Sequence, residues 1–64
     1  MSTVNGKPHP PGPLLSFLES LGHGPETRGL AIALNGAVVP RSRWTETTVA
    51  EGDAVEVVKV FQGG

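Results

Sequence analysis

The chain contains no cysteine and no tyrosine, and only one tryptophan, two phenylalanines and one methionine among its 64 residues. Without cysteine there is no disulfide, no thiolate zinc site and no cysteine nucleophile, so the fold must hold by packing alone. Neither sign of charge dominates: five basic and six acidic residues leave a net charge of −1. That balance argues against a nucleic-acid surface or a polybasic membrane surface and makes a protein the expected partner. No stretch approaches the roughly 18 apolar residues of a membrane span, and Met1-Ser2-Thr3-Val4-Asn5-Gly6 lacks a cationic segment ahead of an apolar run. The expectation is a cytoplasmic protein. At this length a single core is near its lower limit, burying about 60% of the extended-chain surface, and no cleft between domains can form.

Glycine and proline are abundant, at nine and six, and they punctuate the chain. Thr3-Val4 followed by Asn5-Gly6 reads as a strand entering a type I′ turn, which requires positive φ at both central residues. The next segment, Lys7-Pro8-His9-Pro10-Pro11-Gly12-Pro13, has four prolines that donate no backbone hydrogen bond, so a second strand there must be short, at an edge, or absent. Leu14, Phe17, Leu18 and Leu21 then recur at i, i+3, i+4 and i+7, with Pro13 suited to the first turn and Gly22 to the position after the last. This predicts one amphipathic helix. Residues 23–29 have no period and read as a loop.

Leu30-Ala31-Ile32-Ala33-Leu34 alternates large and small, and Asn35-Gly36 signals a second hairpin whose return strand, Val38-Val39, stops at Pro40. Thr45 to Thr48 reads as a polar connection and Glu51-Gly52-Asp53 as a turn. Ala54 to Phe61 is the longest β-prone run, expected as a central strand. The order of elements predicts an α+β domain in which one helix covers a small mixed sheet of four to five strands. Leu14, Phe17, Leu18 and Leu21 should meet Leu30, Ile32, Leu34, Val55 and Val57. Residues 1–60 form this domain and residues 61–64 a flexible tail. Val58 and Val60 fall on the opposite face from Val55 and Val57. They are either scattered surface aliphatics or a docking patch beside the tail.

The sequence closes on Phe61-Gln62-Gly63-Gly64. At an average glycine frequency of about 7%, a terminal pair arises in roughly 0.5% of chains. A carboxylate that threads a narrow channel into another protein's active site needs a slim, conformationally free approach, which glycine provides. The alternative is a frayed end of the kind most chains have.

These residues together resemble the ThiS family of ubiquitin-like β-grasp sulfur carriers. The matching features are Val4-Asn5-Gly6, the leucine-rich helix, Ala31-Ile32-Ala33-Leu34-Asn35-Gly36, the Val38-Val39-Pro40-Arg41-Ser42 segment with Trp44, Glu51-Gly52-Asp53, Val55-Glu56-Val57-Val58 and Gln62-Gly63-Gly64. The resemblance spans essentially the whole chain, and the Val-Pro-Arg-Ser-x-Trp segment separates it from the longer MoaD carriers. The one departure is the short, proline-rich stretch Lys7 to Pro13. The resemblance implies a protein cosubstrate in thiamine biosynthesis, not an enzyme. A ThiF-like adenylyltransferase using MgATP would activate the Gly64 carboxylate, and a relay from a cysteine desulfurase would convert it to a thiocarboxylate. A ThiG-like thiazole synthase would then take the sulfur. Gly64 would carry the sulfur, Gly63 would keep the approach slim, and Phe61 and Gln62 would span from sheet to active site. No cofactor or metal would be bound by the chain itself, which would be a monomer when free. Three alternatives stay open: a protein modifier joined through Gly64 to lysines, a MoaD-like carrier for another sulfur-containing cofactor, and a β-grasp interaction module with an inert tail.

The remaining residues admit two readings each. Arg41 and Arg43 are either solvated charges or contacts for an acidic partner, and Trp44 is either a lid on the core or an interface anchor. His9 and His23 show no metal spacing and are expected to be exposed. Glu51 and Asp53 sit together in a turn without a nucleophile, which does not make an acid–base pair.

Overall fold

The computed structural model describes residues 1–60. Seven short strands, one α-helix and one 3₁₀ helix follow the order β1 (Ser2–Val4), β2 (Lys7–His9), β3 (Gly12–Pro13), α1 (Leu14–Ser20), β4 (Leu30–Leu34), β5 (Ala37–Val38), the 3₁₀ helix (Arg41–Glu46), β6 (Thr48–Val49) and β7 (Ala54–Lys59). Five strands form a mixed sheet in the order β2-β1-β7-β4-β5. β7 is its centre, parallel to β1 and antiparallel to β4, as the uninterrupted β-prone run predicts.

Both Asn-Gly turns form as expected. Asn5 and Asn35 have φ of 50° and 51°, and the glycines that follow them are also positive, the condition for a type I′ hairpin. Each asparagine side chain then does a second job. Asn5 Oδ1 accepts from the Val57 N–H at 2.8 Å while its Nδ2 donates to the Val57 carbonyl at 3.2 Å. The amide thus extends the β1–β7 pairing beyond the last residue of β1. Asn35 Oδ1 accepts from Ala54 N–H at 2.9 Å in the same way, at the start of β7.

The proline-rich stretch yields a three-residue edge strand. Pro8 lies opposite Thr3, a position one removed from the turn-flanking pair, so its missing N–H faces the open edge and no ladder bond is lost. The helix begins one position later than the sequence suggests, with Pro13 as its extended N-cap at φ −60° and ψ 139°. It ends in a Schellman motif: His23 N–H donates to the Leu18 carbonyl and Gly22 N–H to that of Glu19. Gly22, at φ +83°, supplies the left-handed residue this closure needs.

Leu14, Phe17 and Leu18 meet Ile32, Val55 and Val57 in the core, with Leu21, Leu30 and Leu34 packed partly buried around them. Val4 and Val49 join the core without having been expected there, and Trp44 joins it in the position of a lid. Val49 belongs to a second, two-stranded sheet in which β3 pairs with β6. Leu14 N–H also donates to the Thr47 carbonyl at 3.0 Å. The polar connection of the sequence reading is therefore a short helix plus a strand that together close the end of the core. His9 is another correction, because its ring is half-buried and stacks on Phe17 with centroids 3.9 Å apart. His23 is half-buried too.

Candidate functional site

The central strand delivers the chain to the edge of the domain at Val60. Lys59, the last residue of β7, pairs with Leu30, and the Val60 N–H donates to the carbonyl of Gly29 at 2.5 Å. Gly29 has φ +75°, and a Cβ built there would lie 2.7 Å from the Val60 carbonyl oxygen. Both the backbone conformation and the space therefore demand glycine at this point. The loop before it is tied to itself and to the 3₁₀ helix. Thr27 N–H donates to the Gly24 carbonyl, and Gly24 N–H to Thr27 Oγ1 at 3.0 Å. The Arg41 guanidinium donates to the carbonyls of Pro25 and Thr27, the latter at 2.6 Å, and lies 4.3 Å over the Trp44 ring.

Beside this root no element of the described residues covers the sheet. Helix α1 packs on the face bearing Ile32, Val55 and Val57, so the alternate residues of β7 point away from it. Val58 faces Ala31 across the β4–β7 ladder, and Glu56 faces Ala33, which also faces Val38 of β5. Val58 is 55% exposed, Val60 48% and Val38 76%. Alanines on the neighbouring strand make this face smooth, with Glu56 as the charge within it.

The residues singled out in the sequence thus separate. Val58 and Val60 lie together on the open face. Arg41 is exposed but holds the 23–29 loop instead of projecting freely, and Arg43 is exposed on the 3₁₀ helix. Trp44 is only 3% exposed and its Nε1–H donates to the Val39 carbonyl at 2.9 Å. The lid reading therefore fits it, and its ring is not presented on the surface. Phe61, Gln62, Gly63 and Gly64 lie outside the described residues. Gly29 falls within the aperiodic 23–29 segment, where no local signal marks it, because its importance comes from a contact with a residue far along the chain.

Asp53 is structural. Its carboxylate accepts from Ala50 N–H at 2.9 Å and from Asn35 Nδ2 at 3.1 Å, and these bonds, the backbone one foremost, hold its pKa below the usual carboxylate range. Among the described residues no three acidic or histidine side chains gather as a metal site, and no helix is long and apolar enough to cross a membrane. A shallow groove beside edge strand β5, lined by Leu34, Val38, Pro40, Arg43 and Thr47 among others, includes no residue of the tail root.

One helix lying on a sheet whose parallel central pair comes from the two ends of the domain defines a ubiquitin-like β-grasp fold. The ThiS family model matches residues 4–64, and the chain belongs to the ThiS family. The crystal structure of a thiamine biosynthesis protein (ThiS) from Geobacter metallireducens superposes with a TM-score of 0.73 at 35% identity, covering 98% of this chain and 96% of that one. An NMR structure of a thiamine biosynthesis protein from the same organism gives 0.71 at 34% identity, covering 98% and 86%. The sulfur carrier protein ThiS of Escherichia coli (strain K12) is 39% identical over 36 residues, which are 56% of this chain and 54% of that protein's length. The matched region thus spans about half of that curated relative.

Proposed function

We propose that this chain is a sulfur carrier of thiamine biosynthesis whose reactive group is the carboxylate of Gly64. The observation that carries the reading is that the family match extends through residue 64 on a domain whose central strand ends at Lys59, a few residues before Gly63-Gly64 in the sequence. A free carboxylate, with an ordinary pKa near 3.5, is ionised at neutral pH and a poor electrophile. Attack of its oxygen on the α-phosphate of ATP, with loss of pyrophosphate, makes an acyl-adenylate. A sulfur nucleophile then displaces AMP at the carbonyl carbon. A ThiF-like adenylyltransferase supplies the MgATP site. When the nucleophile is a persulfide from a cysteine desulfurase relay, the product is an acyl disulfide, which a second thiol cleaves to release the thiocarboxylate and a disulfide. A ThiG-like thiazole synthase consumes the thiocarboxylate. The chain is a cosubstrate in this scheme and contributes no catalytic side chain.

The open sheet face supports this reading from a second side. A carrier must present its tail and a docking surface to the same partner, and Val58 and Val60 join an exposed apolar patch to the tail root.

The test is the intact mass of the protein recovered from cells grown without thiamine, with fragmentation to locate any change. Replacement of one oxygen by sulfur at Gly64 is the expected result. An unmodified mass in the presence of an active adenylyltransferase would sink the reading, and a ladder of conjugates lost on deleting Gly63-Gly64 would establish the modifier instead.

A further inference from the structure

Resting on the carrier reading, we infer that the 23–29 loop is a clasp that fixes how the chain leaves the sheet at Val60, with Gly29 and Arg41 as positioning residues for activation of Gly64. The clasp is built from two layers. Gly29 takes the Val60 N–H onto its carbonyl at 2.5 Å, and its lack of a side chain lets the Val60 carbonyl approach. Arg41 holds the loop that carries Gly29 by binding the carbonyls of Pro25 and Thr27. Arg41 is itself seated on Trp44, whose ring belongs to the core. A continuous set of contacts therefore runs from the core to the residue where the tail begins.

This matters because the tail is short: four residues from Phe61 to Gly64 span at most about 13–14 Å, so where Val60 is held limits where the Gly64 carboxylate can reach. The clasp also removes Val60 from the set of residues that must be ordered when the tail enters a partner. Ordering one more backbone residue weakens docking by roughly five- to thirtyfold. An alanine at position 29 must move the Val60 carbonyl from 2.7 Å to about the 3.4 Å of ordinary contact, a shift of 3.4 − 2.7 = 0.7 Å at the root.

The test uses the full chain, its Gly29→Ala and Arg41→Ala variants, a ThiF-like adenylyltransferase and MgATP. Amide hydrogen exchange on the free protein is read at Val60 and at the β4 and β7 amides, and activation is read as ATP–pyrophosphate exchange with KM and kcat separated. The expected result is loss of Val60 protection in both variants, core-strand protection retained in Arg41→Ala and lowered in Gly29→Ala only by its fall in global stability, and kcat/KM lowered about five- to thirtyfold, chiefly through KM. Arg41→Ala alters an exposed side chain, so it keeps the test open if Gly29→Ala fails to fold. Rapid exchange of Val60 in the wild-type chain, or lost protection with unaltered kcat/KM, overturns the positioning role while leaving the carrier reading intact. A wild-type chain that the adenylyltransferase does not activate at all overturns the carrier reading and the positioning role together.

Discussion

Gly29 and Val60 meet through their backbones, with the Val60 N–H on the Gly29 carbonyl at 2.5 Å and the Val60 carbonyl occupying the space that a Cβ at position 29 would fill. The pair joins the start of β4 to the end of β7, so the sheet is closed by one further bond after its last regular rung. Gly29→Ala is expected to cost about 1–2 kcal/mol from the left-handed backbone, with the steric shift adding to it. In a domain this small that corresponds to a fall in Tm of roughly 5–15 °C. An unaltered melting curve by circular dichroism would mean that the contact is not made in solution.

Trp44 concentrates much of the fold's stability in one side chain. It fills the end of the core under the 3₁₀ helix, carries Arg41 on one face and bonds the Val39 carbonyl through Nε1. Truncating a buried tryptophan costs about 3–5 kcal/mol, while a domain of 64 residues has a total stability of only about 3–10 kcal/mol. Trp44→Ala should therefore lose at least about a third of the domain's stability. Trp44→Phe keeps most of the apolar volume, loses the hydrogen bond at about 1 kcal/mol, and should remain folded. Chemical denaturation of the two variants checks the order, and equal losses would show that packing at this site is unimportant.

Asp53 gives the acid limb of stability a defined cause. Its folded pKa lies below the usual carboxylate range, so the native state binds fewer protons than the unfolded chain in the interval between the two pKa values. Stability from this group is complete above the unfolded pKa and is lost as pH falls through the folded one. Asp53→Asn removes the titration while leaving an oxygen for the Ala50 N–H. The difference between wild type and variant should be constant near neutrality and shrink below about pH 4. Urea midpoints measured from pH 7 to 2.5 check this, and a gap that widens on acidification contradicts the sign.

The architecture was legible because each main element carries its own local signal. Asn5-Gly6 and Asn35-Gly36 announce two hairpins, Leu14, Phe17, Leu18 and Leu21 mark a helical stripe, and the run from Ala54 has the composition of a central strand. The closure of the core was less legible. Thr47-Thr48-Val49 is a run of β-branched residues, a strand signal, but two-residue strands such as β3 and β6 are fixed by what they pair with and not by pattern. The packing of His9 on Phe17 joins a β2 side chain to one on the helix, a tertiary fact with no period in the sequence. At the candidate site Val58 and Val60 stood out by breaking alternation. Gly29 and the anchoring of Arg41 did not, because both depend on contacts between segments that are remote in sequence.

The open face supplies the sharpest separation between fold and function. Val58 points away from the helix beside Ala31, so its replacement removes no core contact, and Val58→Lys should change stability by less than about 1 kcal/mol. If the patch beside the tail docks the adenylyltransferase, the same change places a charge in an apolar contact. Leaving it unpaired there costs several kcal/mol, and KM for the carrier should rise by at least about tenfold, since each 1.4 kcal/mol is a factor of ten. Val38→Lys provides the comparison. It is more exposed, at 76% against 55%, and lies two strands away from β7 in the sheet, so a footprint centred on the tail root leaves it with a smaller effect. Equal losses from the two variants would place the footprint across the whole sheet face. Normal activation of Val58→Lys, with its melting temperature unchanged, would rule out this face as the docking surface.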